Sequence, residues 1–348
     1  MSGLNIGIIG CGSIARQRHA HEYKLNPNAT IVGFYDFDRS RAESMTLDFG
    51  GKVFDTAEEL ISDSSIDAVS VCAANKYHAE LTIDALNAGK HVLCEKPMAI
   101  SLIECEAMVN AAKKSGKHLL IDQNQRLNNT HIKAKQILES GELGRVITFQ
   151  STFSHKGPES WSADKSANTW FFKKDAASFG SLADLGIHKI DLIRYLVGGK
   201  VKEVFSAMNT LHKTFPDGTP IEVDDNSVEI LTFDDGTMGT VTTSWTNYGE
   251  ENNSTIIYCE KGTMKIYLNP KYSLEIEYLD GKKTHYEIDR MQQNDDAQQT
   301  SSGAIDTFVS AILEDKKTPL DADDVIDSMR VVFACLDSSE KRVPISLT

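Results

Sequence analysis

A glycine-rich turn near the start of the chain limits the possible folds more than any other feature. Residues 10–15 read G-C-G-S-I-A and complete the apolar run Leu4–Gly10. The spacing G-x-G-x-x-A between a first strand and a first helix is typical of dinucleotide-binding folds. There the glycines permit a tight turn and let the backbone approach a pyrophosphate, which lies at the N-terminus of the helix. An ordinary tight turn between a strand and a helix would also use glycine, so this motif alone does not establish dinucleotide binding.

Strand-like and helix-like segments alternate over residues 1–124. The predicted helices include Glu80–Ala88, which ends at Gly89, and Leu102–Lys114, for which Ser101 is the expected N-cap. The apolar runs predict strands at Leu4–Gly10, Ala29–Tyr35, Ile66–Ala73, His91–Cys94 and His118–Ile121, with a weaker one at Lys52–Phe54. These runs do not alternate in polarity, as expected for strands buried on both faces. The pattern predicts an α/β domain with a doubly wound parallel sheet.

The pattern changes after about residue 124, which predicts a second domain of the α+β class. Residues 201–289 contain short strands separated by turns such as Asp280-Gly281, a pattern typical of an antiparallel sheet. Further elements are predicted at His131–Glu139, Val146–Phe153, Leu182–Leu196, Gly303–Ala311 and Ala322–Ser338, with a polar irregular segment at Gln292–Ser302. We therefore divide the chain into a dinucleotide-binding domain, residues 1–124, and a substrate-binding and oligomerisation domain, residues 125–348.

The composition excludes several classes of protein. The 348 residues are 41% hydrophobic and 25% charged, values close to the globular average. The net charge is −14, so DNA, RNA and anionic membrane surfaces would be repelled. The six cysteines show neither a C-x-x-C pair nor the spacing of a disulfide framework, and no apolar run is long enough for a membrane span. We expect a cytoplasmic protein with no nucleic-acid or membrane partner.

Two positions at predicted strand ends could carry chemistry. Asp36 follows the second predicted strand, where a carboxylate can bind an adenosine ribose and repel the 2′-phosphate of NADP. Arg39 and Arg41 nevertheless leave NADP possible. Lys96 follows the predicted strand His91–Cys94, at the edge of the sheet where ligands bind. A solvated loop lysine without a role in catalysis would show the same sequence pattern.

A third group of polar residues is spaced for one face of a helix. Asp184 and His188 are four residues apart, and Asp191 lies one turn further along. A carboxylate beside an imidazole is the arrangement that a general base needs. An amphipathic helix with its histidine in a core hydrogen bond would explain the same spacing.

Other polar clusters have simpler interpretations. His19 and His21 lie two residues apart, a spacing that puts them on different faces of a helix and argues against a shared metal ion. Asp224-Asp225 is interpreted as a solvated turn, and Asp321–Asp324 as a solvated turn and helix start.

Taken in order, these motifs resemble the glucose–fructose oxidoreductase and inositol dehydrogenase family, Gfo/Idh/MocA. The residues that carry the resemblance are Gly10, Gly12 and Ala15, Asn75-Lys76-Tyr77-His78, Glu95-Lys96-Pro97, and Asp184-x-Gly186-x-His188-x-x-Asp191. Two segments depart from the usual family pattern: Ala73-Ala74 stands where relatives often have Thr-Pro, and Phe179-Gly180-Ser181 where they often have three glycines. The resemblance implies an N-terminal Rossmann domain and a C-terminal domain with a large, open, mainly antiparallel sheet that has helices on one face.

The resemblance also implies an enzyme that uses NAD, with NADP as the alternative, to transfer a hydride to or from a hydroxyl-bearing carbon of a sugar, inositol or related polyol. It assigns catalysis to Lys96, Asp184 and His188. It assigns cofactor binding to Gly10, Gly12, Ser13, Ile14, Asp36, Arg41, Asn75, His78, Glu95 and Lys96. Substrate contacts are expected from Arg126, His155, Trp161 and Trp170, although core packing also explains Trp170.

In the expected mechanism His188 is the general base for the hydroxyl proton. Lys96 stabilises negative charge on the same oxygen, Asp184 orients the group, and no metal is required. The family resemblance also admits an NAD-binding regulator without turnover and an NAD-dependent glycosidase. We further expect a homodimer or homotetramer, because one face of the second sheet is left to be covered.

Overall fold

A six-stranded parallel sheet forms the N-terminal part of the protein, as predicted. The computed structural model describes residues 3–163, 165–290 and 301–347. The strand order is β3-β2-β1-β4-β5-β6. The strands are β1 (Leu4–Ile9), β2 (Ala29–Tyr35), β3 (Lys52–Val53), β4 (Ala68–Val71), β5 (His91–Cys94) and β6 (Leu119–Ile121). The order reverses between β1 and β4, and this switch opens a crevice at the carboxyl ends of those two strands.

Helices flank this sheet: α1 (Ala20–Leu25), α2 (Arg39–Phe49), α3 (Ala57–Ser62), α4 (His78–Asn87) and α5 (Leu102–Ser115). Three of them, α2, α3 and α5, begin at a side-chain cap. The predicted N-cap of α5 is confirmed: the hydroxyl of Ser101 accepts a hydrogen bond from the backbone N–H of Glu104 at 3.3 Å. A π-helical segment, Ala15–His19, precedes α1 directly. Such wide turns are rare and are frequently found at functional sites.

The second sheet has nine strands in the order β14-β13-β12-β11-β7-β10-β9-β8-β15. They are β7 (Val146–Ser154), β8 (Val201–Asn209), β9 (Asn226–Phe233), β10 (Met238–Ser244), β11 (Thr255–Cys259), β12 (Gly262–Ile266), β13 (Leu274–Tyr278), β14 (Lys283–Tyr286) and β15 (Ile345–Ser346). All neighbours are antiparallel except β7 and β10, so the predicted mainly antiparallel sheet is confirmed. The remaining helices are α6 (Asn129–Glu139), α7 (Lys174–Ala177), α8 (Ile187–Val197), α9 (Ala304–Glu314) and α10 (Ala322–Lys341).

One face of the second sheet is packed and the other is open. On β9 the side chains of Glu229 and Leu231 are fully buried, whereas Val228 and Ile230, which alternate with them, remain exposed. This alternation is the period of two expected for a strand with one packed face. Helices α8 and α10 cover the packed face and form its core with Leu231 and neighbouring apolar residues.

Helix α9 returns to the first sheet, although it follows the second sheet in the sequence. Phe308 of α9 packs in one core cluster with Tyr23 and Phe34 of the N-terminal part. The division at residue 124 stays a prediction, and most of the polar segment Gln292–Ser302 lies outside the described residues. In the part of the chain that the structure describes, no helix has both the length and the apolar composition required to cross a membrane.

Candidate active site

A cavity of ≈ 1020 Å³ lies at the carboxyl ends of β1, β4 and β5 and extends to the start of α8. This volume is at the upper end of the usual range for small-molecule sites. All ten residues predicted to bind the cofactor and all three predicted catalytic residues contribute to its lining. The fold therefore brings residues from both sheets to one site.

The glycine turn forms the floor of the cavity at the end of β1. Gly10 has a φ of +91°, and a Cβ there would lie 2.6 Å from the backbone of Cys72 and Ala73. A Cβ on Gly12 would meet no atom within 4 Å. Gly10 is thus required by backbone packing, while Gly12 leaves its backbone open to the cavity. This cradle and the N-terminus of the following helix fit the pyrophosphate of a dinucleotide.

Asp36 connects the end of β2 to the glycine turn. One carboxylate oxygen accepts a hydrogen bond from the backbone N–H of Cys11 at 2.6 Å, and the other accepts one from the N–H of Asp38 at 2.8 Å. The guanidinium of Arg41 lies nearby, 3.6 Å from the carboxylate of Asp38. The ring of Phe37 is 98% exposed at the same rim of the cavity. These residues define the end of the cavity that suits an adenosine group.

The loops after β4 and β5 are joined by His78. Its ring nitrogens lie 2.8 Å from the carbonyl oxygen of Pro97 and 3.0 Å from that of Ala73. Burial lowers the pKa of His78, so a neutral ring donates to one of these carbonyls. Asn75 donates from its side chain to the carbonyl oxygen of Ala177 at 3.1 Å, which ties the first part of the chain to the end of α7.

Lys96 and Asp184 form the contact between the two parts of the protein at the reacting end. The ammonium group of Lys96 donates to the Asp184 carboxylate at 2.9 Å and to the Asp184 carbonyl oxygen at 2.9 Å. The indole N–H of Trp245, which follows β10, donates to the second carboxylate oxygen at 3.1 Å. Sequence analysis missed Trp245, since nothing in its neighbourhood signals a partner 61 residues away.

Asp184 and His188 do not form the carboxylate–imidazole pair that their spacing suggested. Asp184 lies in the π-helical segment Leu182–Gly186, and the regular helix α8 begins only at Ile187. The Nδ1 atom of His188 is buried and has no hydrogen-bond partner among the described residues. Burial, followed by the charge of Lys96, lowers the pKa of His188 well below its ordinary value. A neutral imidazole with an unused nitrogen is suited to accept a proton.

Asp224 fixes the start of this helix. Its carboxylate accepts hydrogen bonds from the N–H of Gly180 at 2.6 Å, the hydroxyl of Ser181 at 2.7 Å and the N–H of Leu182 at 3.0 Å. A Cβ on Gly180 would lie 1.9 Å from the carbonyl oxygen of Asp224, so this position requires glycine. The interpretation of Asp224-Asp225 as a solvated turn is wrong: both residues are buried, because they hold backbone and side-chain donors of adjacent loops.

Three of the four predicted substrate residues line the cavity. His155 lies with its Nε2 atom 3.9 Å from the Asp184 carboxylate, and burial lowers the pKa of its ring. The ring of Trp161 meets that of His155 edge-on at 6.2 Å. Trp170 stacks on Phe171 with ring centres 3.9 Å apart. These aromatic faces form a wall of the kind that suits the carbon skeleton of a sugar.

Arg126, the fourth predicted substrate residue, is not brought into the cavity. Its guanidinium makes two hydrogen bonds to the Asp191 carboxylate, at 2.7 and 2.6 Å, and one to the carbonyl oxygen of Pro319 at 2.7 Å. It also contacts Asp324. These contacts form a buried network between α8 and α10 that occupies the Arg126 side chain. Arg126 and Asp191 therefore stabilise the fold outside the cavity.

Glu95 is surrounded by a buried polar cluster beneath Lys96. The Nε2 atom of His19 lies 3.0 Å from the Glu95 carboxylate and 3.5 Å from that of Asp122. Burial opposes a charge on His19, but the adjacent Cys72, Asp122 and Glu95 raise its pKa well above the ordinary value. The other oxygen of Glu95 accepts from the backbone N–H of Lys96 at 3.1 Å. These three side chains could hold a metal ion, but a proton on His19 already neutralises one carboxylate.

Comparison with protein families covers both parts of the chain. Residues 4–123 match an oxidoreductase family with an NAD-binding Rossmann fold, and residues 131–265 match the GFO/IDH/MocA C-terminal domain.

Similar proteins include a glucose-6-phosphate 3-dehydrogenase of Bacillus subtilis, which is 38% identical over 61% of this chain and 59% of that enzyme. This match spans less than two thirds of the relative's length. A myo-inositol 2-dehydrogenase of Thermotoga maritima is 30% identical over 69% of this chain and 68% of that enzyme. A solved structure of levoglucosan dehydrogenase with NADH and L-sorbose has a TM-score of 0.86 and 25% identity, and 100% of each chain is covered.

Proposed function

We propose, on the premise that this chain belongs to the GFO/IDH/MocA family of NAD-binding oxidoreductases, that it catalyses reversible hydride transfer between NAD and a secondary hydroxyl group of a sugar or cyclitol. When bound, NAD supplies the hydride acceptor. The names of the relatives support this substrate class, since they act on glucose 6-phosphate, myo-inositol and levoglucosan. The observation that carries the proposal is the Lys96–Asp184 contact at 2.9 Å, beside the neutral and unpaired imidazole of His188.

In this proposal each side chain acts on the substrate oxygen. His188 accepts the hydroxyl proton as the carbon is oxidised, because its neutral imidazole lines the cavity and makes no hydrogen bond within the described residues. Lys96 donates a hydrogen bond to the same oxygen and stabilises the negative charge that develops there. Asp184 holds the ammonium group in place, and Trp245 holds the second oxygen of Asp184. Trp161, Trp170 and His155 exclude water and bind the carbon skeleton.

The proposal is tested with a panel of inositols, aldoses and their keto forms, assayed with NAD and NADP at the absorbance band of reduced nicotinamide. A dehydrogenase converts one cofactor for each product molecule. Product formed without net change of cofactor would indicate the glycosidase cycle instead. Dinucleotide binding without turnover of any compound in the panel would indicate a regulator.

We also propose that the protein is a homodimer or homotetramer that covers the open face of the second sheet. Phe205, Val228, Ile230 and Met238 expose apolar side chains on adjacent strands β8, β9 and β10. An apolar face of this kind is favourable to bury against a second copy. Light scattering at micromolar concentration should give a multiple of 38.4 kDa, and a monomer mass would contradict the proposal.

A cytoplasmic location is proposed as well. All six cysteines are buried free thiols, as expected in a reducing compartment. Fractionation of cells that express the tagged protein tests this location.

A further inference from the structure

Arg18 is a cation in the cavity for which the described residues provide no anionic partner. It belongs to the π-helical segment Ala15–His19, and its half-buried side chain lines the cavity. Among residues 3–163, 165–290 and 301–347, no hydrogen bond or ion pair to its guanidinium is found. Arg16, two residues earlier, differs in this respect: it is not part of the cavity lining, contacts Asp48 and donates to the hydroxyl of Ser44 at 2.7 Å.

The Arg18 charge lies at the reacting end of the cavity, not at the adenosine end. The pKa of His188 is lowered by burial first, then by the charge of Lys96, and then by that of Arg18. Arg18 also helps to lower the pKa of Glu95, whose burial acts in the opposite direction and whose main partner is His19. The placement follows from the chain itself: Arg18 lines the cavity, and the next residue, His19, lies 3.0 Å from Glu95 beside Lys96, where the substrate would lie.

Among the described residues, Lys96 and Glu95 at this end of the cavity already have partners. Lys96 is paired with Asp184 at 2.9 Å, and Glu95 with His19 at 3.0 Å. Burial and the charge of Glu95 raise the pKa of Asp122, which favours its neutral form. Arg18 is therefore left without a counter-charge among the described residues, in a protein whose net charge is −14. A partly desolvated guanidinium has five donors in a planar fork and binds carboxylate and phosphate groups best.

We propose that Arg18 binds an anionic group of the substrate, so that the enzyme acts on a sugar carrying a phosphate ester or a carboxylate in preference to a neutral sugar. The inference rests on the proposed dehydrogenase function and narrows its substrate class. Arg18 is a specificity-determining residue in this account and takes no part in the proton or hydride transfer. The competing role for the same side chain is a contact with the phosphates of the dinucleotide.

The test compares wild type with Arg18→Met and Arg18→Lys, and Arg16→Met serves as the control on the same helix. Steady-state kcat and KM are measured at saturating NAD with glucose 6-phosphate, glucuronate, glucose and myo-inositol. We expect wild type to prefer one of the two anionic sugars, which identifies the anion as phosphate or carboxylate. Arg18→Met should lose about 10- to 100-fold in kcat/KM on that sugar, mainly through KM, and change little on neutral sugars.

Arg18→Lys should retain part of the preference, because it keeps the charge but loses the fork. The midpoint of thermal unfolding should not fall in Arg18→Met, since the substitution removes no hydrogen bond or ion pair within the described part of the chain. Equal losses on anionic and neutral sugars, a raised KM for NAD alone, or a wild-type preference for neutral sugars would each overturn the inference while leaving the dehydrogenase function intact.

Failure to turn over any sugar would refute the proposed function instead. In that event calorimetric titration of the NADH-loaded protein with glucose 6-phosphate and glucuronate still tests Arg18. Tighter binding to wild type than to Arg18→Met would support the inference, and identical or undetectable binding to both would overturn it.

Discussion

Glu229 is a fully buried carboxyl group on β9, between the second sheet and α10. Its Oε1 atom accepts a hydrogen bond from the hydroxyl of Ser206 at 3.4 Å, and its Oε2 atom has no partner among the described residues. Burial, reinforced by the charge of Asp224, raises the pKa of Glu229 from 4.5 to about 8. The folded protein therefore keeps this proton at neutral pH, whereas the unfolded chain releases it.

The sign of the pH dependence follows from this difference. Between pH 4.5 and about 8 the unfolded chain binds fewer protons at Glu229 than the folded protein does, so the free energy of unfolding falls as the pH rises. Each pH unit in this interval lowers the free energy of unfolding by about 1.4 kcal/mol. Relative to pH 4.5, Glu229 lowers the free energy of unfolding by about 3 kcal/mol at pH 7 and by about 5 kcal/mol above pH 8.

Glu229→Gln removes the titration and keeps the shape of the protonated side chain. Urea unfolding of wild type and variant between pH 4.5 and 8.5 should show similar stabilities at the acidic end and a stabilised variant at the alkaline end. Glu203→Gln, on the exposed side of β8, is the matched control and should leave the pH dependence unchanged. A variant that is no more stable than wild type at pH 8 would refute the assignment of a buried, protonated carboxyl group.

Three further predictions concern the site. Replacing Asp36 with serine should weaken NAD binding and improve NADP binding relative to wild type, as measured by titration with both cofactors; tighter NADP binding by the wild type itself would contradict the assignment of Asp36. The acid limb of kcat/KM should lie below pH 6.5, because burial and Lys96 lower the pKa of His188, and a limb at or above that pH would indicate another base. Trp245→Phe should lower kcat about tenfold by removing the hydrogen bond to Asp184, with little change in NAD affinity, and an unchanged kcat would show that this bond does not position the carboxylate.

Local patterns in the sequence predicted the first sheet well. The bounds of β2 and β5 agree with the predicted runs, and the Ser101 cap of α5 is present. The glycine turn was readable because the requirement for Gly10 is local: a positive φ and a close backbone approach at the end of the first strand. Features set by near neighbours in the chain leave a pattern in the sequence.

Features that depend on contacts between residues far apart in the sequence could not be predicted from it. The i to i+4 spacing suggested that Asp184 contacts His188, but the π-helical turn and the donors of Lys96 and Trp245 determine where its carboxylate lies. The sequence predicted a turn at Asp224, because the helix N-terminus that its carboxylate caps lies far away in the sequence. The contacts of Arg126 could not be predicted for the same reason, since its partner Asp191 lies 65 residues further along the chain.

The direct test of the central claim is the rate of NADH formation by Lys96→Ala and His188→Ala on a sugar that the wild type oxidises. Removal of a general acid or base costs about 10²- to 10⁴-fold in rate, so each variant should lose kcat on that scale while its affinity for NAD stays nearly unchanged. Lys113→Ala, an exposed lysine on α5 outside the cavity, controls for the substitution itself. Near-normal turnover by both site variants would contradict the proposed roles of Lys96 and His188.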